Sequence, residues 1–370
     1  MTDFVVVGGG IAGVSAAAHL APHGSVTLLE TEKSLAFHTT GRSAALFVVN
    51  YGGQGSRPLA RASQAFLESP PEGSADAPLL TERGALWLAD ESQLEHLLEI
   101  EREGLASDAG SRLVGTEEVL RLVPKLRPER VAAGLFEPGA LDIDVAALHQ
   151  SFVRIARFHG AEIRLASPVL GLARVGTGWR VTTPGGVVDC SAVVNASGAW
   201  GDVVAGLAGI TPIGLQPMRR TAFMVPGDEA YAGWPMVVDV DHRFYFRPDR
   251  AQLLCSLAEE KPSEPIDPRA AMEDVALAIE RINQATTLDI RSVNSQWTGL
   301  RTFAPDRELV IGEDPTARGF FWLVGQGGTG IMTSPAYGAL LASQVLETGL
   351  PSDLAVAGVD PATTSPTRLR

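Results

Sequence analysis

The stretch VVVGGGIAG at residues 5–13 decides the fold of this chain. It predicts a buried strand, a Gly-x-Gly-x-x-Gly turn and a helix, followed by a second strand, VTLL, that ends beside Glu30. Gly8 permits the tight turn, Gly10 lets the backbone approach a pyrophosphate, and Gly13 allows the helix to pack closely on the strand. Glu30 would accept a hydrogen bond from a ribose hydroxyl. A glycine-rich turn without a ligand is the alternative, but all four parts in register favour a dinucleotide site.

Composition indicates a well-buried globular protein with an acidic surface. Hydrophobic residues make up 45% of the 370, and 30 Lys and Arg against 43 Asp and Glu give a formal net charge of -13. Such a charge argues against nucleic acid and anionic membrane surfaces as partners. No apolar run is long enough to span a bilayer, and Asp3 stands where a signal peptide would be basic. The expected location is therefore the cytoplasm.

The two cysteines, Cys190 and Cys255, lie in apolar runs that predict strands. Their spacing fits neither a CxxC motif nor a metal-binding pattern, so neither a disulfide framework nor a metal site is expected. Both are predicted to be buried core residues rather than reactive thiols.

Segments typical of a nucleotide-binding sheet recur far along the chain. An apolar strand runs into the turn at 196–198, and a buried strand at 320–324 meets a second glycine-rich turn at 325–331. Two such turns far apart indicate a long ligand held at both ends. The chain is therefore expected to interleave a nucleotide-binding domain with a separate β-rich domain. The Pro-, Ser- and Thr-rich residues from 351 onward are expected to be loosely held.

Hydrophobic periodicity predicts the remaining elements. Helices are expected over residues 57–68, 91–103, 145–159, 269–283 and 333–347. Strands are expected over residues 85–88, 221–225, 236–240, 244–247 and 253–257, and a β-meander between residues 162 and 195.

Seven motifs, spread over almost the whole chain, resemble those of one family. They are GGGIAG at 8–13 with Glu30, HTTGRSAA at 38–45, GALDID at 139–144, NASGAW at 195–200, QPMRR at 216–220, WTGLR at 297–301 and QGGTGI at 326–331. Together they are similar to the D-amino-acid-oxidase-like FAD oxidoreductases, within the branch of glycine oxidase and D-arginine dehydrogenase.

This resemblance implies an α/β fold in which a Rossmann-type FAD-binding domain is interleaved with a mixed β-sheet substrate domain. The FAD-binding domain would comprise residues 1–45, 140–215 and 300–350, and the substrate-binding domain residues 46–139 and 216–299. Residues 351–370 would form a C-terminal tail.

The resemblance also implies FAD as the cofactor. The implied contacts are Gly8, Gly10, Ile11, Ala12, Gly13, Glu30, Thr31, Thr39, Thr40, Gly41, Arg42, Ser43, Ala44, Ala45, Leu46, Val169, Ser197, Gly198, Trp200, Gly327, Gly328, Thr329, Gly330, Ile331 and Met332. The turn at 327–332 would bring backbone N–H groups and a helix N-terminus to the flavin's pyrimidine end, where reduction places negative charge. His38 matches a histidine that binds flavin covalently in some relatives. The D-arginine-dehydrogenase branch has this histidine without the bond, so noncovalent FAD is expected.

The implied reaction removes two electrons from a substrate C–N bond. The amine loses a proton, hydride passes from Cα to flavin N5, and the imine then hydrolyses to a 2-oxo acid. Arg301 matches the family's carboxylate-binding arginine, whose planar fork suits bidentate pairing. Tyr245, Tyr51 and Arg220 match pocket residues, although both tyrosines could instead be core aromatics. The carbonyl of Gly328 is a candidate acceptor for the substrate amine.

The substrate side-chain pocket is expected to be apolar. Ala85 stands where enzymes that prefer D-arginine have a glutamate, and Leu46 and Val48 stand at a histidine and a threonine position. A buried cation without a counter-charge is costly, so neutral or hydrophobic D-amino acids, or related amines, are expected as substrates rather than D-arginine. Glu82 could supply the charge if the alignment slips.

Other readings stay open from the sequence. The enzyme could oxidise a small amine of the glycine or sarcosine type, or the C–O bond of a 2-hydroxy acid. The chain could also be a non-catalytic or NAD-binding Rossmann protein. Oxygen, a quinone or another acceptor could take the electrons, and the oligomeric state is open.

Overall fold

The computed structural model describes residues 2–49, 51–102 and 110–370. The strands are β1 (Thr2–Val7), β2 (Val26–Leu29), β3 (Leu46–Phe47), β4 (Leu80–Glu82), β5 (Ala85–Ala89), β6 (Arg112–Gly115), β7 (Ala133–Glu137), β8 (Leu141–Ile143), β9 (Glu162–Arg164), β10 (Gly171–Val175), β11 (Gly178–Thr183), β12 (Gly186–Asn195), β13 (Gln216–Pro226), β14 (Met236–Asp239), β15 (Tyr245–Asp249), β16 (Gln252–Ser256), β17 (Lys261–Pro262), β18 (Ser295–Phe303), β19 (Val310–Glu313) and β20 (Phe320–Val324). The helices are α1 (Ile11–Leu20), α2 (Ser56–Glu68), α3 (Leu94–Ile100), α4 (Thr116–Leu122), α5 (Val145–Phe158), α6 (Gly201–Leu207), α7 (Met272–Ala285), α8 (Ser334–Val345) and α9 (Ser352–Val356).

The first sheet is built on the βαβ unit that the sequence predicts. β1 pairs in parallel with β2 on one side and with β12 on the other, and β20 pairs in parallel with β12. The carboxyl ends of these strands therefore meet at one edge, where open parallel sheets bind their ligands. β10 and β11 continue from the first half of β12 as an antiparallel meander. The interleaved α/β architecture is confirmed.

Helix α1 lies between the first sheet and α8. It is buried along its length except at His19, because its alanines and glycine let neighbours approach closely. A Cβ built on Gly338 of α8 would lie 2.1 Å from Ser15 Oγ, and that hydroxyl donates to the Ser334 carbonyl at 2.6 Å. This packing fixes the middle of α1 closely against the start of α8.

The second sheet is mostly antiparallel and forms the wall opposite the first sheet's carboxyl edge. Its order is β17–β13–β16–β15–β14–β5–β7–β6, with β18 paired along β13. β14 and β5 form its parallel pair. A small third sheet has the strand order β3–β8–β4.

Helix α2 packs with the nucleotide-binding core, although its residues fall within 46–139, the range expected for the substrate domain. Leu59 and Leu67 are fully buried in the same cluster as Val14 of α1 and Leu340 of α8. An amphipathic pattern predicts that a helix packs on a core, but it does not identify which of two cores.

Residues 351–370 are docked on the first sheet, which corrects the expectation of a loosely held tail. Arg370 donates to the fully buried carboxylate of Asp314 at 2.5 Å, and Arg368 donates to Asp306 at 2.6 Å. The local composition suggested a mobile segment, because the acids that hold it lie more than 50 residues away in sequence.

Other differences from the expected elements are small. The helix expected over 91–103 divides into a 3-10 turn, Glu91–Gln93, and α3, and Glu103 lies outside the described residues. Both cysteines are buried, as predicted, and burial raises the pKa of the Cys190 thiol to about 12. None of the helices in the described ranges combines the length and apolarity needed to cross a membrane.

Candidate active site

A cavity of about 660 Å³ lies between the carboxyl edge of the first sheet and one face of the second. This volume is in the range of ordinary ligand and cofactor pockets. The expected contacts that line it are Gly8, Gly10, Ile11, Ala12, Glu30, Thr31, Thr39, Thr40, Arg42, Ser43, Ala44, Ala45, Val169, Ser197, Gly198, Trp200, Gly327, Gly328, Gly330 and Ile331, together with Arg220, Tyr245 and Arg301. Segments from the beginning, middle and end of the chain thus converge on one cavity.

The dinucleotide end of the cavity is rigidly built. Glu30 accepts from the backbone N–H of Gly9 at 2.6 Å with one oxygen and from that of Glu32 at 2.8 Å with the other. The hydroxyl of Thr40 accepts from the first N–H of α1, at Ile11, at 3.0 Å. The carboxylate is therefore fixed at the end of β2, with lone pairs left for a ribose hydroxyl.

Two glycines of the first turn are required by space and backbone conformation. Gly8 has a φ of +108°, which a residue with a side chain rarely adopts. A Cβ built on Gly13 would lie 1.8 Å from the Gly8 carbonyl oxygen, so α1 approaches the turn as closely as a dinucleotide-binding helix must. The cradle fits a dinucleotide pyrophosphate at the N-terminus of α1.

His38 lies in the cavity wall between charged and aromatic neighbours. Its Nε2 is 3.1 Å from Glu32, and its ring centroid is 4.7 Å from that of Trp200. Arg42 donates to Asp267 at 2.6 Å nearby, which joins the segment before β3 to the loop before α7.

Three residues predicted to bind substrate project from one face of the second sheet. Arg220 on β13 is opposite Gly299 on β18, two residues before Arg301, so the two arginines are diagonal neighbours. Tyr245 on β15 is opposite Ser256 on β16. Ser256 is in turn opposite Ala222 on β13, two residues after Arg220. Partners directly opposite or two residues apart share a face, and this face forms the cavity wall.

Arg301 is largely buried and converges with Tyr51 on the glycine-rich turn after β20. A Cβ built on Gly328 would lie 3.0 Å from Tyr51 Oη and 3.1 Å from a terminal nitrogen of Arg301. Within the described residues Arg301 forms no salt bridge. Glu260 is near enough to raise the pKa of Arg301, but its carboxylate forms a salt bridge with Arg220 instead. A cation in this position is suited to a carboxylate brought by a ligand.

The two arginines differ in their electrostatic surroundings. Burial alone would lower the pKa of the Arg301 guanidinium, but Tyr51, Tyr245 and Glu260 raise it above its usual value. Burial and the like charge of Arg301 lower the pKa of Arg220. Both groups remain cations at neutral pH, so the cavity has a locally positive wall in an acidic protein.

The glycine-rich turn after β20 leads into a helix, as the sequence predicts, and the helix begins within one residue of the expected position. Successive turns run from Gly327 to Thr333, and α8 begins at Ser334. A Cβ built on Gly327 would lie 2.4 Å from the Phe303 ring, so the turn rests directly on that side chain. Gly327, Gly328, Gly330 and Ile331 of the turn line the cavity, and the expected position of the helix N-terminus at the flavin stays a prediction.

Several expected contacts are not part of the cavity lining. Gly13, Gly41, Leu46, Thr329 and Met332 among the cofactor set, and Tyr51, Val48 and Ala85 among the substrate set, are absent from it in the described structure. Lining residues that the sequence did not single out include Phe37, Val203, Leu207, Pro265, Ile266 and Asp267. Phe37 directly precedes the motif at 38–45, whereas the other five lie in α6 and in the loop at 265–267, which contain no motif, so no sequence signal identifies those five.

The predicted apolar substrate pocket has charged neighbours. Leu46 is opposite Asp142 in the small sheet, and Asp142 pairs with Arg247 at 3.0 Å. Val48 is partly buried and Ala85 is buried in β5. Because none of the three lines the cavity, their role in substrate choice stays a prediction.

A buried carboxyl group that the sequence analysis missed lies beside Ala85. Glu137 on β7 is directly opposite Ala85 and accepts from Trp87 Nε1 at 3.1 Å, while its other oxygen has no partner among the described residues. Burial raises the pKa of Glu137 to about 7. The pairing of Glu137 with Ala85 joins two strands about 50 residues apart in sequence. The pattern within either strand does not show which residues will be opposite each other, so no sequence signal identifies Glu137.

Comparison with known proteins identifies the family. The family model for FAD dependent oxidoreductases (DAO) matches residues 3–344. Glycine oxidase of Bacillus licheniformis is 26% identical over 360 residues, covering 93% of each chain. Human mitochondrial dimethylglycine dehydrogenase is 26% identical over 379 residues, covering 95% of this chain but 43% of that protein, so the chain spans less than half of that relative.

Solved structures agree with the architecture described above. Glycine oxidase from Geobacillus kaustophilus superposes with a TM-score of 0.84 at 23% identity, covering 97% of this chain and 98% of that one. L-proline dehydrogenase from P. horikoshii gives 0.83 at 22%, covering 97% and 96%. These likenesses show the fold, and the family match covers nearly the whole chain. The chain therefore belongs to the DAO family of FAD-dependent oxidoreductases, and FAD is its cofactor.

Proposed function

We propose that this protein oxidises the C–N bond of a small amino acid or N-substituted amino acid. The observation that supports this most directly is Arg301, a largely buried cation without a salt bridge in the described residues, facing Gly328 beside Tyr51. A single buried guanidinium at the cofactor cavity suits a substrate that carries one carboxylate.

The chain's own groups would position such a substrate. Arg301 would hold the carboxylate, with Tyr51 and Tyr245 donating further hydrogen bonds and Arg220 strengthening the positive field. The carbonyl of Gly328 would accept a hydrogen bond from the amine and so orient Cα. Bound FAD supplies the redox chemistry by accepting hydride from Cα, while the amine gives up a proton and the imine product hydrolyses in water.

Among amino acids, we propose D-amino acids with neutral or hydrophobic side chains in preference to D-arginine. Support comes from Ala85, Leu46 and Val48, which offer no charge at the positions where a cationic side chain would need one. Glu137, the buried carboxyl group opposite Ala85, does not line the cavity, so it is not placed to pair with a cationic side chain there.

A second candidate is a small secondary amine of the sarcosine type. It is favoured by the likeness to glycine oxidase and dimethylglycine dehydrogenase, whose names give small amines as their substrates. A 2-hydroxy acid is a third candidate, because the arginine would bind its carboxylate equally well.

Anaerobic mixing of the FAD-loaded protein with a substrate panel tests these proposals. The panel contains D-leucine, D-methionine, D-arginine, their L-enantiomers, glycine, sarcosine and D-lactate, and bleaching of the flavin absorbance is followed. We expect bleaching by amines and a higher kcat/KM for D-leucine or D-methionine than for D-arginine. A large advantage for D-arginine would refute the side-chain preference. Bleaching by D-lactate and by no amine would refute C–N oxidation.

A further inference from the structure

Residues 361–370 reach a turn that contacts both halves of the candidate site. Arg368 donates from Nε to Asp306 at 2.6 Å, and from a terminal nitrogen to Asp306 at 3.1 Å and to the Glu308 carbonyl at 3.0 Å. The Arg368 side chain is only 17% exposed. One planar guanidinium therefore holds both a side chain and the backbone of the turn at residues 305–308, which joins β18 to β19.

Glu308 in this turn supports the loop that carries Tyr51. Its Oε2 accepts from the Gly55 N–H at 3.1 Å, and a Cβ built on Gly53 would lie 2.0 Å from its Oε1. The loop thus rests directly on the carboxylate. Tyr51 stands two residues before Gly53 and faces Gly328 at the glycine-rich turn.

Arg307, the residue before Glu308, reaches the other half of the site. It donates to Glu260 at 2.8 Å, and the second oxygen of that carboxylate is 3.3 Å from a terminal nitrogen of Arg220. The Arg307 guanidinium also lies 3.9 Å from the centroid of the Phe303 ring, on which Gly327 rests. The turn at 305–308 and the Phe303 ring therefore contact the loop that carries Tyr51, the carboxylate that pairs with Arg220, and the glycine-rich turn at Gly327.

We propose that Arg368 is a positioning residue for substrate binding, acting through the turn at 305–308 on Tyr51 and Arg220. The proposal rests on the proposed function, since these two residues matter for binding if the cavity takes a carboxylate-bearing substrate. Groups that are held in place beforehand need not be ordered when the substrate binds, and this ordering otherwise reduces affinity. Arg368 contacts none of the reacting groups and is not catalytic.

Arg370 provides a matched control within the same segment. It pairs with the buried Asp314 at 2.5 Å and donates to the Pro212 carbonyl at 3.5 Å, and none of its hydrogen bonds in the described structure reaches the turn at 305–308. Arg370→Ala weakens the docking of the segment and leaves the contacts of Arg368 in place. Glu308→Gln tests the path itself, because it removes the charge under the Tyr51 loop while Arg368 is kept.

The experiment uses the FAD-loaded protein and three readouts. These are KM and kcat for the best amine of the panel, the Kd of propionate from the change in flavin absorbance, and hydrogen exchange of the amides at residues 51–57. We expect Arg368→Ala to raise KM and the propionate Kd about tenfold and to change kcat less than about threefold. The reason is that the variant mainly loses substrate-binding free energy and not stabilisation of the transition state alone. Exchange at 51–57 should become faster.

The control variants separate positioning from general destabilisation. Arg370→Ala should lower Tm while leaving KM, the propionate Kd and exchange at 51–57 near wild type. Glu308→Gln should act in the same direction as Arg368→Ala, and the double variant should be no worse than the more affected single variant, because both lie on one path.

Several results would overturn the proposal. Arg368→Ala could lower Tm and leave all three readouts unchanged, or Arg370→Ala could shift them equally. A wild-type protein that oxidises no amine and binds no propionate would refute the proposed function instead. Hydrogen exchange would then still decide whether Arg368 orders the Tyr51 loop, because that measurement needs no substrate.

Discussion

Gly13 faces the carbonyl oxygen of Gly8 so closely that a Cβ on Gly13 would lie 1.8 Å from it. A methyl group at Gly13 would collide with a backbone carbonyl rather than with a flexible side chain, so the backbone itself would have to move. We therefore expect Gly13→Ala to lose FAD and to lower the free energy of unfolding by about 3 kcal/mol or more, since overpacking typically costs 1–3 kcal/mol even where side chains can yield. FAD content after purification and urea unfolding measure the two effects.

Gly206 provides the control for that substitution. It lies within α6, and a Cβ built there would meet nothing within 4 Å. Gly206→Ala should keep FAD and raise stability by up to about 1 kcal/mol, the difference in helix propensity. A Gly13→Ala protein that keeps its FAD and its stability would contradict the close approach.

Replacing Arg301 should weaken the substrate and spare the cofactor. Arg301→Met removes a bidentate, charge-assisted contact, so kcat/KM for an amino acid should fall roughly 100- to 1000-fold. FAD content should stay at the wild-type level. Arg180, in an exposed ion pair on β11, is the matched arginine, and Arg180→Met should change kcat/KM little. A fall of less than threefold for Arg301→Met would show that the carboxylate is bound elsewhere.

Glu137 should make stability depend on pH. Burial raises the pKa of this carboxyl from 4.5 to about 7 in the folded protein. Between these two pH values the folded state therefore holds a proton that the unfolded chain releases. The stability that this carboxyl group contributes is fully present below pH 4.5 and is lost as the pH rises to about 7. The free energy of unfolding should fall by about 3 kcal/mol, at 1.36 kcal/mol per pKa unit, and the fall should be nearly complete above about pH 7.

The Glu137→Gln variant isolates this effect. The difference in unfolding free energy between wild type and variant, measured from pH 4 to 8, should change by that amount across this window. Trp87 donates to Glu137 at 3.1 Å, so its fluorescence should titrate over the same window in wild type only. A difference that does not vary with pH would contradict the raised pKa.

FAD should be released intact when the protein is denatured. His38 has its Nε2 held 3.1 Å from Glu32 and its ring against Trp200, an arrangement in which the imidazole serves as part of the cavity wall. Acid precipitation should leave the yellow colour in the supernatant. A pellet that keeps its colour, and loses it in His38→Ala, would instead show a covalent bond.

The sequence predicted the parts of the fold that depend on local pattern. The glycine spacing from Gly8 to Gly13, the acid at Glu30 and the strand repeats each depend on a few adjacent residues. The docking of Arg368 and Arg370 was missed because it depends on acids more than 50 residues away. For the same reason the candidate site could be assembled only from family motifs, and the Pro265 loop, which has no motif, was overlooked.

The first sheet takes strands from residues 2–29, 162–195 and 310–324. Its central strand β12 therefore meets one neighbour made very early and another made near the end of the described chain. During synthesis, β20 can pair with β12 only after about 300 residues beyond β2 have been made, and such long-range pairing is slow. We therefore expect the first sheet to be completed only after residues 320–324 have been made, and FAD to bind tightly after that step rather than before it.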